Sequence, residues 1–501
     1  MKRLWICVLA LLMLACQPTP KEDAVKQKNT NALIDTVLLE EQERKESGAT
    51  LPPEQPQATE RFICDFTTST QNVHVTADVP IEVLSETGSF PTLRVEHRYL
   101  TDSERLTIAG RLFNSDSMYL WEYRPTRAQL EEQIRTYMQE PTDEEKSKWM
   151  RETGGTEADW ESAQRNRKMQ LEALQKQYAE LPEDGASPTL PAWDGSAPDY
   201  SEDYEHHRND QTIVGHETDT NSLSDLNYVT VWADEMDRPI EYQIAAREPS
   251  DVTNVWFFAY AKDGTERIVP ENYGKPHDGA SISPNEAAAI VETVFEGIGS
   301  FRIADVFWTN NGSENERGSV IVTRRAYFIV LTTDFYGANT PYSSAPVYDV
   351  DAESDVVRSW ANEALMAAVD GDGNLISTAW IAPLKATDVI SESTPMLSKA
   401  EIMQVFETQM GRQFAEEMYR DGTLCIDGVQ LCLYRIREQN SFDTGLLIPA
   451  WFFTGTFTFS ESVQGKRASE GLREQDRFDN LNPLLIVNAI DGSVIDPQKG
   501  Y

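Results

Sequence analysis

A pattern that occurs twice in the C-terminal half constrains this chain more than any other feature. It consists of a capped amphipathic helix, then strands, then an Asp-Gly turn. The first copy opens with Ser283-Pro-Asn-Glu286, a capping box with proline at the first helical position. Ala287, Val291, Val294 and Ile298 follow at helical spacing as its apolar face. Strands are predicted at Phe301–Thr309, Val320–Asp334, Ala364–Val369 and Leu375–Pro383, with a turn at Asp370-Gly-Asp-Gly-Asn374. The second copy opens with Ser398-Lys-Ala-Glu401, and its helix sets Ile402, Val405, Phe406, Met410 and Phe414 on one side. Strands are predicted at Val429–Arg437, Leu446–Phe459 and Leu484–Ile490, with Ser493–Ile495 after the turn. The endings align: Met366-Ala-Ala-Val-Asp-Gly with Val487-Asn-Ala-Ile-Asp-Gly. A helix with one apolar stripe and a sheet with one apolar face close a small core together. The fold class expected is therefore α+β: an N-terminal strand–helix domain with a helical segment, then tandem helix-on-antiparallel-sheet units.

A capped helix followed by strands and a closing Asn-Ala-x-Asp-Gly-x-Val-Ile hairpin is similar to PepSY-type modules. It is similar also to the extracytoplasmic partners of a sensor kinase, the YycH and YycI type. The architecture as a whole resembles a family of uncharacterised lipoproteins from Gram-positive gut bacteria. The likeness covers Ile282–Tyr501, and its motifs are structural rather than catalytic. PepSY modules are associated with inhibiting or tuning peptidases and with sensory regulation, so the resemblance implies a role of that kind.

Met1–Cys16 sets the expected location. Lys2 and Arg3 are followed by the apolar run Leu4–Leu14, and Leu14-Ala15-Cys16 closes it with small residues. A run this short does not span a bilayer, which takes about 20 residues. It reads as a cleaved export signal over 1–15, and its end resembles the lipobox of bacterial lipoproteins, with Met13 where leucine is commoner. The resemblance implies that Cys16 becomes the lipidated N-terminus, placing the protein on the extracytoplasmic face of the cell membrane. A formal net charge of −38 argues against nucleic acid as a partner and against attachment to anionic headgroups by charge. Attachment then falls to the lipid.

Residues 16–60 read as a disordered tether, polar and proline-bearing at Pro52, Pro53 and Pro56, with apolar residues concentrated at Leu33–Leu39. An N-terminal domain is expected over 61–181. Val73, Val75, Ala77, Val79, Ile81 and Val83 alternate with polar residues as a half-buried strand, with Pro80 marking an edge or a bulge. Thr101-Asp-Ser-Glu104 caps a short helix. Three helices fill Arg127–Leu181: Leu130, Ile134 and Tyr137 stripe the first, and Thr142-Asp-Glu-Glu145 caps the second. Trp160, Ala163, Arg167, Leu171, Leu174, Tyr178 and Leu181 stripe the third. Two readings stand for this segment, a helical layer over a sheet or a projecting partner-binding arm. An acidic linker is expected over 182–226, carrying His206-His207 and Asp210. A β-rich first unit follows over 227–390, with strands at Tyr228–Ala233, Pro239–Ala245 and Val255–Ala261, and the second unit takes 391–501.

No cofactor or metal is implied. Cys64 stands alone, and Cys425 and Cys432 flank Asp427-Gly428, which reads as a tight hairpin turn; the pair is either a disulfide or two thiols. Asp370–Asn374 has the carboxylate density of a calcium loop without its twelfth-position glutamate, and a turn accounts for it. Aromatic residues crowd the predicted strands, and Trp308, Trp380, Trp451 and Phe453 are the candidates for facing a ligand, with core packing the competing reading. Gly-x-Ser-x-Gly, His-Glu-x-x-His and phosphate-cradling glycine motifs do not occur in a usable context. The expected function is non-catalytic binding or regulation through a membrane or cell-envelope protein. The alternative is a lipoprotein that captures glycan or peptide for uptake. The oligomeric state is left open.

Overall fold

The computed structural model describes residues 30–47, 60–69, 72–120, 127–181, 191–196, 211–215, 228–232, 242–245, 266–314, 320–342, 347–348, 359–360, 362–416, 419–438, 444–461, 463–464, 475–478, 482–497 and 499–500. The leader with Cys16, the His206-His207 pair and the strand expected at Val255–Ala261 lie outside these residues.

Two antiparallel-dominated sheets carry the fold, and the α+β class expected from the sequence is what is seen. The first sheet holds β1 (Arg61–Thr67), β2 (His74–Val83), β3 (Thr92–His97), β15 (Leu384–Ser391), β16 (Thr423–Arg437), β17 (Thr444–Thr458), β18 (Gln475–Phe478) and β19 (Leu485–Asn488), in the order β1-β2-β16-β17-β3-β15. β17 is long enough for β3, β19 and β18 to pair with it in succession along one edge. The second sheet runs β4 (Tyr119–Leu120), β5 (Gln211–Gly215), β6 (Tyr228–Trp232), β7 (Tyr242–Ala245), β14 (Leu375–Ile381), β13 (Ala364–Asp370), β10 (Val320–Thr333), β9 (Phe301–Glu314) and β8 (Glu266–Arg267). A separate pair joins β11 (Val347–Tyr348) and β12 (Ser359–Trp360).

The helices are α1 (Thr30–Ser47), α2 (Asp102–Phe113), α3 (Arg127–Met138), α4 (Asp143–Thr153), α5 (Glu157–Glu180), α6 (Pro284–Val294) and α7 (Lys399–Gln413). Capping boxes form at Thr101, Thr142, Ser283 and Ser398, each hydroxyl accepting the N–H three residues on while that residue's carboxylate accepts the cap N–H. This satisfies helix-end donors that no intrahelical carbonyl reaches. α6 buries Ala287, Val291 and Val294 against the second sheet; α7 buries Ile402, Phe406 and Met410 against the first.

Both faces of the first sheet are covered at its centre, over β16 and β17, and period-two alternation sorts the side chains. On β17, Leu447, Trp451, Phe453 and Phe457 join the α7 core, while Leu446, Ile448, Ala450 and Phe452 join the core on the other face. Leu33 and Val37 of α1 complete that second core. The tether expected over 16–60 is thus a helix across 30–47, because Leu33 and Val37 find an apolar sheet face to cover.

The sheets also redraw the linear organisation. Strands β2 and β3, expected with β1 in a separate N-terminal domain, hydrogen-bond with β16 and with β17 and β15, respectively. Parallel pairing of β2 with β16 joins residues about 350 positions apart, and no local pattern announces it. Pro80, on an interior strand, lies where that pairing is irregular, opposite the Asp427-Gly428 stretch, so its missing N–H leaves no ladder bond broken. The stretch expected as a linker over 182–226 contributes β5, and Trp193 of the same stretch is buried in the α6 core. Gly195 holds this segment against α2: its φ is +92°, a Cβ there would lie 2.2 Å from the Asp102 carbonyl oxygen, and its own carbonyl accepts from Arg105 Nε at 2.6 Å.

Candidate functional site

All four aromatic candidates are core residues, which corrects the ligand-facing reading. Trp308 and Trp380 lie on the α6 side of the second sheet, 3% and 0% exposed. Trp451 and Phe453 lie on the α7 side of the first sheet, 1% and 0% exposed. Trp308 stacks on His277 with ring centroids 5.0 Å apart and leans on Tyr327 at 4.7 Å. Phe295 and Phe301 meet the Trp380 ring edge-on. Phe453 packs against Phe62 at 5.3 Å and Phe406 at 4.9 Å. The four are divided between two cores and line no common surface. Burial of a strand on both faces makes its aromatic run read like a binding row.

The cysteine pair is corrected as well. Asp427-Gly428 is not a hairpin turn but a bulge inside the continuous strand β16, where the register to β17 skips from Ile426 to Gly428. The extra residue reverses the alternation, so Leu424 and Ile426 before it share the α7 face with Val429, Leu431 and Leu433 after it. Cys425 and Cys432 stand seven positions apart on one strand, roughly 20 Å at about 3.3 Å per residue. A disulfide needs Cα atoms within about 7 Å. Both are free thiols, Cys425 exposed and Cys432 buried. Burial pushes the Cys432 thiol well up and that of buried Cys64 to about 11, so neither supplies a reactive thiolate.

The acidic turn behaves as a turn. Asp370 Oδ1 accepts the N–H groups of Asp372 and Asn374 at 3.0 and 2.8 Å, and Oδ2 accepts from Asn374 Nδ2 at 2.9 Å. Gly373 takes a φ of +92°. Among the described residues, no group of three or more His, Cys, Asp or Glu is placed to hold a metal ion. Among those residues, too, no helix is long and apolar enough to cross a membrane.

Buried charge concentrates where the two sheets meet, which sequence reasoning missed. Arg267 Nε bonds Asp305 Oδ1 at 2.8 Å, and its Nη1 and Nη2 fork onto Glu82 at 3.1 and 2.9 Å. Gln430 Nε2 also donates to Glu82, at 2.8 Å. Burial opposes the charge on Arg267, but Asp305 and Glu82 outweigh it and hold the guanidinium protonated. Glu82 and Gln430 belong to the first sheet, Arg267 and Asp305 to the second, so the cluster is a joint. A second polar seam lies at Glu363, 1% exposed, whose carboxylate accepts from Thr333 N and Oγ1, Trp380 Nε1 and Leu384 N. Burial raises its carboxyl, and those donors oppose the rise. Nearby, burial and then the charge of Arg435 push His97 down to about 3, while burial brings the Arg435 guanidinium down to about 9. The Arg267 cluster and Glu363 tie the two sheets together, whereas His97 on β3 and Arg435 on β16 both belong to the first.

The helical segment 127–181 presents a different surface. The stripe predicted on α5 is the half-buried one, Trp160 through Tyr178, and the residues between are mostly exposed. It packs on α3 rather than on a sheet. Arg167 Nη2 donates to the carbonyls of Thr136 at 2.6 Å and Gln139 at 2.9 Å, closing the C-terminal end of α3. Tyr178 donates to Glu131, the Arg127 guanidinium lies 4.4 Å over the Tyr178 ring, and Trp149 meets Trp160 at 5.4 Å. None of the 24 residues of α5 is buried, and Met138 and Met169 are 63% and 66% exposed. Among the described residues α5 packs on α3 and α4, so this segment is not the helical layer over a sheet that one of the two readings expected.

No family model matches the chain, and no curated protein does. Its structure is similar to the crystal structure of an uncharacterized protein from Eubacterium rectale ATCC 33656, with a TM-score of 0.42 and 9% identity over 94% of this chain and 99% of that one.

Proposed function

We propose that this protein is a lipid-anchored, extracytoplasmic binding or regulatory protein that acts without catalysis, through contacts with a membrane or cell-envelope protein. The observation that carries the reading is the arm: a 24-residue helix with no buried residue, braced by two shorter helices. A helix polar over most of its surface and not buried against a core is stabilised by its own cross-links or by a partner. Arg167, Tyr178 and the Trp149–Trp160 contact supply the cross-links. Met138 on α3 and Met169 on α5, 63% and 66% exposed, are left for the partner. The leader Met1–Cys16 supports the anchor, with Cys16 as the lipidated residue. Burial of Trp308, Trp380, Trp451 and Phe453 takes away the feature that favoured glycan or peptide capture.

The test is crosslinking and pull-down from intact cells, with the native chain and with Met138→Lys plus Met169→Lys. One dominant membrane-protein partner, lost in the double variant at unchanged thermal stability, is the expected result. No stoichiometric partner, with thermal stabilisation by glycans or peptides instead, would overturn this reading in favour of capture.

A further inference from the structure

The first sheet ends at β1, and the way it ends is specific. β1 pairs with β2 in the register Arg61↔Pro80 to Thr67↔His74. Ile81 N donates to Glu60 O and Thr68 N to Val73 O, so the even-numbered residues of β1 turn their backbone groups toward β2. Arg61, Ile63, Asp65 and Thr67 therefore turn theirs to the open edge. Among the described residues no strand lies beyond it. Lys399 Nζ reaches the Arg61 carbonyl at 2.8 Å, and among the described residues no such contact reaches the backbone of Ile63 or Asp65.

The side chains of the same residues form the exposed face. Ile63 is 62% exposed, the most exposed aliphatic strand side chain among the described residues, while Phe62 and Cys64 point into the α7 core. Arg61 and Asp65 flank Ile63 at two residues on either side. Each is held on the sheet by one neighbour, Arg61 by Asp78 and Asp65 by His74 at 2.9 Å. The face thus reads positive, apolar, negative, which is self-complementary when reversed. Native sheets ordinarily guard such edges with charge, proline or a covering element.

We propose that β1 pairs antiparallel with β1 of a second copy of this chain, Ile63 opposite Ile63 and Arg61 opposite Asp65, joining two first sheets across a two-fold axis. The register follows from three constraints. Backbone groups facing outward must meet others facing outward, which pairs odd-numbered residues with odd-numbered ones. Ile63 then opposes Ile63 or, two positions along, other members of the set. Only the register centred on Ile63 sets the apolar side chains together and both charged pairs at opposite sign, the favourable cross-strand arrangement. In that register each Asp65 carboxylate bridges its own His74 and the Arg61 of the second copy. A two-fold interface of this kind is closed and adds no further edge.

Sedimentation of the full chain in dilute detergent, over a range of concentrations, tests this. A species of twice the chain mass is expected, and Ile63→Lys should remove it at unchanged melting temperature. Arg61→Asp and Asp65→Arg should each remove it, and the two together should restore it, since the exchange keeps complementarity. The register is read with Ile63→Cys in a Cys425→Ser background: a short bismaleimide should give a covalent dimer, with Cys64 protected by burial. A chain monomeric at every concentration overturns the proposal, as does a dimer indifferent to Ile63→Lys. Failure of the charge exchange to restore the dimer overturns the register. Capture of an extended peptide by a strictly monomeric chain would assign the edge to another occupant.

Discussion

Glu363 accepts a hydrogen bond from the indole Nε1 of Trp380 at 3.2 Å, at the point where the chain leaves the second sheet and enters the first. Only Ala382 and Pro383 separate β14 from β15, and Ala382 takes a φ of +46° to make the crossing. The Glu363 carboxylate also accepts the N–H of Leu384, the first residue after it. One buried side chain thus fixes both banks of the crossing. Glu363→Ala leaves those donors unsatisfied in an apolar setting and should cost about 3–5 kcal/mol in denaturant unfolding. Glu363→Gln keeps an acceptor oxygen and should cost less than half as much. Equal losses for the two would show that volume, not hydrogen bonding, matters there.

The Arg267 cluster makes a separable case. Arg267→Met removes the cation and leaves Asp305, 1% exposed, beside Glu82 without it. Breaking one member of a buried pair is strongly destabilising, yet the Arg267 side chain is 34% exposed and solvent offsets part of the loss. About 2–4 kcal/mol is expected, read from the denaturant midpoint. Asp305→Asn added to Arg267→Met should recover part of it, because the neutral amide leaves no buried charge behind. A double variant less stable than Arg267→Met alone would contradict this account.

Much of this fold was legible locally, because local physics decides it. The capping boxes at Ser283 and Ser398 and the α5 stripe follow from spacing along one element. What escaped is decided elsewhere in the chain. Asp427-Gly428 suits a hairpin and a bulge equally, and only the β2 and β17 partners on either side select the bulge. Leu33 and Val37 looked too sparse to fold until an apolar face of β16 and β17 stood opposite them. Of the site, an exposed helical segment was foreseen within one of two readings. The Glu82–Arg267–Asp305 joint was not, since its charges come from β2, β8 and β9 and share no motif.

Burial of the aromatic candidates has a direct consequence. Trp451→Ala removes a side chain 1% exposed from the α7 core and should destabilise the protein by about 3–5 kcal/mol. Trp380→Ala should cost at least as much, since it also strips a donor from Glu363. If either variant instead kept its denaturant midpoint while a sugar or peptide titration lost its signal, the residue would be surface-active and the packing account would fail.

His97 provides a pH signature. Burial, with Arg435 adding to it, lowers its folded value to about 3 from the ordinary 6.5. A histidine depressed on folding is neutral in the folded protein over a range where the unfolded chain takes up a proton. Its contribution is therefore complete above pH 6.5 and is lost progressively as the pH falls toward 3. At full extent a shift of this size is worth roughly 3–5 kcal/mol. The many carboxylates of an acidic chain titrate over the lower part of the same range, so the comparison that isolates His97 is a difference. His97→Gln, which does not titrate, should lower the proton uptake on unfolding by close to one at about pH 5. The native-minus-variant stability should then decline from pH 7 to pH 3.5, measured by denaturant unfolding in matched buffers. A difference flat across that range would place the His97 ring in solvent rather than beside Arg435.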